Sequence, residues 1–226
     1  MRKIFLILRP LHGLLMICCL AGCAADPGSQ ALVDAFHQIR ADGSAHENSP
    51  RLDPRFKYLR VQIEQREAFM ALGYVDNGPD GPVEVWYSAS GEVLRLRDGH
   101  LAGAIMNRGT NWLSVSFANV PRWEQMGGQE SFERSRDMSP GYQYGIREKM
   151  QIKRIPQPNN SQLRLILAST LTWFEERAIS KEALPPVRYG VNMADTPPQV
   201  VYAEQCLSHD FCFSWQRWLP VKESQH

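Results

Sequence analysis

The sequence lacks an excess of charge of either sign. Its 25 lysines and arginines stand against 24 aspartates and glutamates, which gives a formal net charge of +1. A chain so close to neutral has no electrostatic footprint for nucleic acid. The sequence also lacks a fixed-period repeat, a low-complexity tract and an apolar run of the roughly 20 residues that a membrane-spanning helix needs. These absences predict a folded protein that does not bind nucleic acid.

The common catalytic motifs are missing as well. There is no H-E-x-x-H motif or paired-histidine spacing for a metal, and no G-x-S-x-G nucleophile elbow. Carboxylates could still provide the acid and base of a glycosidase, and the candidates are Glu130, Glu133 and Asp137, or the adjacent Glu175 and Glu176. Charged residues beside turns are usually solvated surface. We therefore predict a non-enzymatic protein without a cofactor, with a periplasmic glycan-modifying hydrolase as the alternative.

The start of the chain has the layout of a bacterial lipoprotein signal. A basic leader precedes a short apolar run, and the sequence LAGC then ends at Cys23. An aliphatic residue and two small residues before a cysteine match the bacterial lipobox, whereas Cys18 and Cys19 are not preceded by two small residues. The pattern predicts a signal peptide over residues 1–22 and lipidation of Cys23. An ordinary cleavable signal with chance cysteines is the alternative.

Lipidation at Cys23 would tether the protein to a membrane, because several acyl chains anchor a protein stably where one chain does not. We expect a lipidated tether over residues 23–30 and a single mainly-β domain over 31–226. The anchor cysteine is not followed directly by the aspartate that resembles an inner-membrane retention signal. We therefore predict an outer-membrane anchor with the protein facing the periplasm. Without the leader, 22 basic residues remain against the 24 acidic ones.

Besides the predicted lipidation site Cys23, two cysteines remain after the signal, Cys206 and Cys212 in the sequence QCLSHDFC. The cell envelope is oxidising, so a close pair of cysteines predicts a disulfide. Closing so short a loop would stabilise the fold by about 2 to 3 kcal/mol. A metal site is the alternative, but it needs more ligands than the two cysteines, His209 and Asp210 obviously supply.

Alternating apolar residues predict a succession of short β-strands. The expected strands are 58–64, 68–75, 83–88, 93–97, 101–106, 113–120, 141–155, 163–179, 200–203 and 211–218. Asp98-Gly99 is a type I′ hairpin signal. Apolar residues at helical spacing predict a short N-terminal helix over 31–41, and a helix is also an alternative for 163–178. The strand spacing predicts a mainly-β fold, an antiparallel sandwich or barrel.

Two groups of side chains could bind sugars. Arg95 and Arg97 fall on one face of a strand, where they could bind an anionic sugar or form solvated surface. The six tryptophans could stack on a polysaccharide or pack in the core. Trp215 and Trp218 fall on opposite faces of one predicted strand, so we expect at least one of them to be exposed.

Four segments resemble the YjbF and GfcB lipoproteins, a family encoded with exopolysaccharide and group 4 capsule secretion genes. These segments are LAGC (20–23), GEVLRLRDGHLAGAIMNRGTNW (91–112), SFERSRDMSPGYQYGI (131–146) and PQVVYAEQCLSHDFCFSWQRWLPV (198–221). Gly99 and Gly109 hold the glycine positions of the second segment. The sequence departs from the family at His100, where arginine is common, and at the hairpin tip between Cys206 and Cys212, where the family has an acidic-Gly turn.

The resemblance implies an all-β outer-membrane lipoprotein that assists exopolysaccharide or capsule production or export. It implies action beside an outer-membrane barrel or a periplasmic export protein, with no established catalytic residues. Such a protein would bind a partner, the polysaccharide, or both. A structural envelope lipoprotein without a polysaccharide role is the remaining alternative.

Overall fold

The protein is mainly β. A computed structural model describes residues 52–219; the expected signal peptide, tether, Cys23 and N-terminal helix lie outside these residues. The strands are β1 (Tyr58–Ile63), β2 (Arg66–Gly78), β3 (Gly81–Ser88), β4 (Val93–Arg97), β5 (His100–Ile105), β6 (Asn111–Ala118), β7 (Gln129–Ser139), β8 (Gln143–Ile155), β9 (Thr172–Ala178), β10 (Val187–Asn192), β11 (Gln199–Ser208) and β12 (Phe211–Trp218).

The twelve strands form one closed antiparallel barrel, which confirms the predicted fold class. Each strand pairs with its neighbours in the chain, and β1 closes the barrel by pairing with β12 from Tyr58↔Trp218 to Gln62↔Ser214. Closure satisfies the backbone groups that edge strands would otherwise leave open.

The up-and-down order places alternate turns at opposite ends of the barrel. The turns β2–β3, β4–β5, β6–β7 and β10–β11 share one end, which we call the mouth, with the start of β1 and the end of β12. The turns β1–β2, β7–β8, β9–β10 and β11–β12 share the opposite end, which we call the far end. The mouth and the far end are therefore formed by different sets of turns.

Large aromatic side chains fill the barrel interior. Trp86, Trp112, Trp123 and Trp215 belong to one buried cluster with leucines, valines and methionines from the strands around the barrel. Trp173 and Trp218 are buried too, but outside the wall: Trp218 packs against Phe69 on the outer face, with ring centroids 5.7 Å apart. All six tryptophans are thus buried. The expectation that Trp215 or Trp218 is exposed is wrong, although the two do lie on opposite faces.

The connection between β8 and β9, residues 156–171, crosses the outer face of the barrel, and we call it the strap. Polar side chains of the wall hold it in place. Gln216 accepts a hydrogen bond from the backbone N–H of Arg164 at 2.9 Å and donates one to its carbonyl at 2.6 Å, and Tyr202 Oη accepts one from the N–H of Gln162 at 2.8 Å. These contacts leave Leu165 and Leu167 80% and 73% exposed.

The strap corrects the sequence-based assignment of residues 163–179. Only Thr172–Ala178 is a strand; the preceding residues are irregular and contain a single 3-10 turn, Ala168–Thr170. The alternating leucines of 163–171 therefore do not mark a buried strand face. The alternative of a helix over 163–178 is also wrong.

Two strands, β7 and β10, were not predicted from the sequence. The inward face of β7 carries Arg134 and Arg136 between Phe132 and Met138, so its apolar alternation is interrupted. Strand β10 is short, and its pairing with β11 shifts register between Gly190 and Val191. Strand β7 therefore lacks the alternating apolar pattern that identifies a half-buried strand. In β10, Val187, Tyr189 and Val191 do alternate, but the strand has only six residues.

Helical structure is limited to two 3-10 turns, Trp123–Gln125 and Ala168–Thr170, within residues 52–219. Over that same range, no helix is long and apolar enough to cross a membrane.

The β11–β12 hairpin contains the disulfide expected from the sequence. Cys206 and Cys212 are directly opposite each other in the strand pairing and are joined by an S–S bond. The bond lies close to the far end of the barrel. It therefore links β11 to β12, the strand that closes the barrel by pairing with β1.

The β4–β5 turn packs tightly across the mouth. Asp98 and Gly99 both have positive φ, 48° and 82°, as the predicted type I′ hairpin requires. A Cβ atom on Gly99 would lie 2.2 Å from Val200 Cγ2 at the start of β11. Only glycine satisfies both the backbone conformation and this close approach.

We expect Gly99→Ala to destabilise the fold more than Gly91→Ala. Gly91 also has a positive φ, 97°, but its Cβ would meet nothing within 4 Å. Both variants bear the backbone strain of about 1–3 kcal/mol, and Gly99→Ala adds overpacking of about another 1–3 kcal/mol. Urea denaturation measures both free energies of unfolding, and equal losses would contradict the close packing at Val200.

Candidate functional site

A buried polar group lies just inside the mouth. His100, at the start of β5, contacts Glu176 of β9 at 3.0 Å from Nδ1 to Oε2, and Tyr189 Oη of β10 donates to the same oxygen at 3.0 Å. All three residues are buried. An ionised carboxylate only accepts hydrogen bonds, so Nδ1 of His100 carries a proton here. The other ring nitrogen, Nε2, is buried and has no hydrogen-bond partner in the part of the chain that the structure describes.

The buried polar group continues from Glu176 along the interior. Arg134 of β7 reaches Glu176 at 3.5 Å, and its Nε donates to Glu148 Oε2 at 2.9 Å. Arg136 binds the same carboxylate through Nε at 2.8 Å and Nη2 at 2.9 Å. We call these six residues, including Tyr189, the ionic spine. Each charge in it has a partner of opposite sign, as buried charges require.

Aromatic rings enclose both ends of the ionic spine. Trp123, in the 3-10 turn between β6 and β7, stacks on His100 with ring centroids 4.9 Å apart and planes 10° apart, and its Nε1 donates to the carbonyl of Asp98. Towards the far end, the guanidinium of Arg136 lies 4.6 Å from the ring centroid of Trp112. Cations over the face of a tryptophan are attracted by its ring quadrupole.

The surroundings shift the acidity of the buried groups. Burial by itself would raise the pKa of Glu176, but its hydrogen bond to His100 and the charges of His100 and Arg134 hold that pKa below its usual value. Burial likewise opposes ionisation of Glu148, yet Arg134 and Arg136 keep its pKa lowered. Burial, and then the charge of Glu176, raise the pKa of Tyr189 well above its usual value. Both glutamates are thus ionised at neutral pH and Tyr189 is protonated.

A cleft of about 1090 Å³ opens at the mouth, above His100. The β2–β3 turn, the β4–β5 turn, the β6–β7 loop and the β10–β11 loop form its walls. Arg217 and Glu84 form a bidentate ion pair in the wall, at 3.0 and 2.8 Å, and Arg217 Nε also donates to the carbonyl of Val200. Barrel mouths are a preferred position for ligand sites, so we take the cleft with His100 as the candidate site.

A second cleft, of about 690 Å³, lies at the far end. Its lining includes both cysteines of the disulfide together with His209 and Asp210 of the β11–β12 turn. These four residues formed the alternative metal site of the sequence analysis, and the two cysteines are bonded to each other instead. Within residues 52–219, no group of three or more His, Cys, Asp or Glu side chains is arranged to hold a metal ion.

The structure separates the carboxylates that the sequence suggested as a glycosidase pair. Glu176 points into the barrel, while its neighbour Glu175 is on the outer face with Lys153, 3.7 Å away. Glu133 is exposed on the outer face of β7, and Asp137 accepts a hydrogen bond from the N–H of Gly145. None of the five suggested carboxylates lines either of the two clefts described above.

The arginines on β4 lie on its outer face near the mouth, as the strand pattern indicated. Arg95 is 3.6 Å from Asp76, and Arg97 is 3.8 Å from Asp80 and lines the cleft. His100, Glu176 and Arg134 come from three distant strands, so no local pattern joins them in the sequence. The sequence singled out His100, where arginine is common in the resembled family, and Glu176, as a candidate carboxylate, but only separately.

Together, the fold and the site define an up-and-down twelve-stranded barrel with a buried ionic group in a mainly apolar interior and a cleft at its mouth. No protein-family model matches the sequence, and no curated protein matches it either. Among solved structures, the chain is similar to the hypothetical lipoprotein YmcC from Escherichia coli, with a TM-score of 0.56 and 15% sequence identity. The match covers 87% of this chain and 97% of that chain. It shows a shared fold.

We expect Glu176→Gln to destabilise the protein by about 3–5 kcal/mol, because it removes one charge from a buried ionic group. The matched control is Glu175→Gln, which affects only the half-exposed contact with Lys153 and should cost less than about 1 kcal/mol. Urea denaturation at neutral pH measures both. Equal effects at the two positions would contradict a structural role for the ionic spine.

The lowered pKa values predict how stability depends on pH. Glu148 and Glu176 bind protons less readily in the folded protein than in the unfolded chain. Their contribution is complete above the unfolded glutamate pKa of about 4.3 and is lost as the pH falls through their folded pKa values. The free energy of unfolding should therefore decline below about pH 4.3. Glu148→Gln should flatten this decline, and an unchanged pH profile would refute the assignment.

Proposed function

We propose that the protein is an outer-membrane lipoprotein, lipidated at Cys23, that assists exopolysaccharide or capsule production or export without catalysing a reaction. The observation that carries this proposal is the lipobox LAGC ahead of a barrel with the same fold as a hypothetical lipoprotein. The barrel would work in the periplasm at the end of its tether. It would bind the polysaccharide or a partner such as an outer-membrane barrel or a periplasmic export protein.

Two surface features support a binding role. The strap presents Leu165 and Leu167 to solvent on a backbone held by hydrogen bonds to the barrel wall, and exposed apolar side chains of this kind are common at protein contacts. The backbone of Leu165 has a φ of 62°, an uncommon conformation for leucine. The cleft at the mouth offers polar groups to a smaller ligand.

A strain lacking the gene should secrete less polysaccharide, or shorter chains, and the wild-type gene should restore both. Cys23→Ala should leave the protein in the soluble periplasmic fraction and restore secretion poorly, because tethering is lost. Secreted polysaccharide is measured by total sugar and gel filtration, and the position of the protein by membrane fractionation.

Asp210→Ala, in an exposed turn at the far end, is the control variant; it should restore secretion as well as the wild type does. Unchanged polysaccharide in the deletion strain, under conditions where the gene is expressed, would refute the proposed function. A Cys23→Ala protein that stays in the membrane fraction would refute the lipid anchor.

A further inference from the structure

Two side-chain nitrogen atoms at the mouth have no hydrogen-bond partner among residues 52–219. His100 is 2% exposed and lines the cleft, and its Nε2 is buried without a hydrogen bond. Arg97, at the opposite end of the same turn, also lines the cleft and has a buried Nε without a hydrogen bond. Buried polar groups are nearly always satisfied by protein, water or ligand. These two nitrogens therefore indicate a place where another molecule completes the hydrogen bonding.

Two carboxylates face the same cleft from separate turns. Asp80, in the β2–β3 turn, has only a long contact of 3.8 Å with Arg97. Asp195, in the β10–β11 loop, is exposed and has no ion pair or hydrogen bond within residues 52–219. Ionised carboxylates are strong hydrogen-bond acceptors. The cleft thus combines acceptors on its rim with donors closer to its floor.

The charges of the cleft nearly cancel. Its lining contains three arginines and four carboxylates, namely Arg97, Arg122, Arg217, Asp80, Glu84, Asp98 and Asp195. One arginine and one carboxylate are already joined in the bidentate pair of the wall. A cleft without a dominant sign gives no electrostatic preference to a polyanion or a polycation. Its ligand is expected to be uncharged but rich in hydrogen-bonding groups.

The cleft also has an apolar part. Phe117, Val120 and Pro121 lie on the side of the β6–β7 loop, and Pro197 and Pro198 lie on the side of the β10–β11 loop. A sugar ring has hydroxyl groups on its edge and C–H groups on its faces, so it can use both kinds of wall at once. The cleft volume of 1090 Å³ is at the upper limit of small-molecule sites, about 300–1,000 Å³. This size fits several linked sugars better than one.

We propose that the mouth of the barrel binds a neutral oligosaccharide segment directly. The carboxylates of Asp80 and Asp195 accept hydrogen bonds from sugar hydroxyls, while His100 Nε2 and Arg97 Nε bind groups that reach the floor. The proline and phenylalanine side chains pack against ring faces. The identity of this glycan as the exported polysaccharide rests on the proposed function, whereas the binding itself does not.

The experiment uses the full-length lipidated protein in detergent micelles. The probes are size-fractionated oligosaccharides of four to eight sugars, obtained by mild acid hydrolysis of the polysaccharide that the strain secretes, and neutral dextran oligosaccharides of the same length. Heparin oligosaccharides serve as the polyanionic probe. Isothermal titration calorimetry measures affinity, and tryptophan fluorescence provides a second readout, because Trp123 stacks directly on His100.

We expect at least one of the neutral probes to bind, and Asp80→Ala and Asp195→Ala each to weaken that binding by about tenfold, the value of a lost hydrogen bond to a charged group. Both residues are exposed, so both variants should fold. Asp210→Ala is the matched control, since it removes an equally exposed turn carboxylate at the far end. Its affinity should equal that of the wild type.

Three outcomes would overturn the inference: no binding of any neutral probe at millimolar concentration, binding that Asp80→Ala and Asp195→Ala do not change, or tighter binding of heparin than of every neutral probe. Failure of the oligosaccharide-binding inference can be distinguished from failure of the proposed export function. Loss of polysaccharide secretion in the deletion strain without oligosaccharide binding would refute only the cleft. Binding by a protein whose deletion leaves secretion unchanged would refute only the export role.

Discussion

Closure of the sheet by the pairing of β1 with β12 is the constraint on which the rest of the structure depends. Closing twelve strands creates an interior wider than that of an eight-stranded barrel, which side chains only just fill. Four tryptophans take up much of this space, and the remaining volume along β7, β8 and β9 is occupied by charged side chains. The ionic spine therefore fills part of the barrel interior. Its geometry is fixed because closure of the barrel fixes the positions of the strands that carry it.

The same constraint gives the mouth its chemistry. If the interior were apolar throughout, its opening would be apolar too. Here the buried residue nearest the mouth is His100, which is hydrogen-bonded to Glu176 and stacked against Trp123. One ring nitrogen is hydrogen-bonded within the ionic spine, and the other has no partner among the described residues 52–219. The turns above add charges of both signs in nearly equal number. The ionic spine thus places polar groups at the cleft without exposing its buried charges to solvent.

Strand positions were predicted well where inward residues are apolar and outward residues mostly polar, as in β1 and β4. Strand β7 was missed because Arg134 and Arg136 occupy inward positions, and such residues are recognisable as core only when their partner Glu148 is known to face them. The strap was misread for the opposite reason: its leucines alternate, but hydrogen bonds from Gln216 and Tyr202 hold the backbone outside the barrel. The candidate site combines residues of β5, β7, β8, β9 and β10. No local sequence pattern can predict that these residues are in contact, because they are far apart in the chain.

An even number of strands in up-and-down order returns the chain to the end from which it started. Tyr58 and Trp218 are paired at the mouth, so both ends of the barrel-forming chain emerge beside the cleft. A fluorescent protein or affinity tag fused after Trp218 would stand next to the opening and obstruct it. The β7–β8 turn at Pro140–Tyr142 is exposed at the other end of the barrel. It is the better place for a label in imaging or pull-down work, since a reporter there leaves the opening clear.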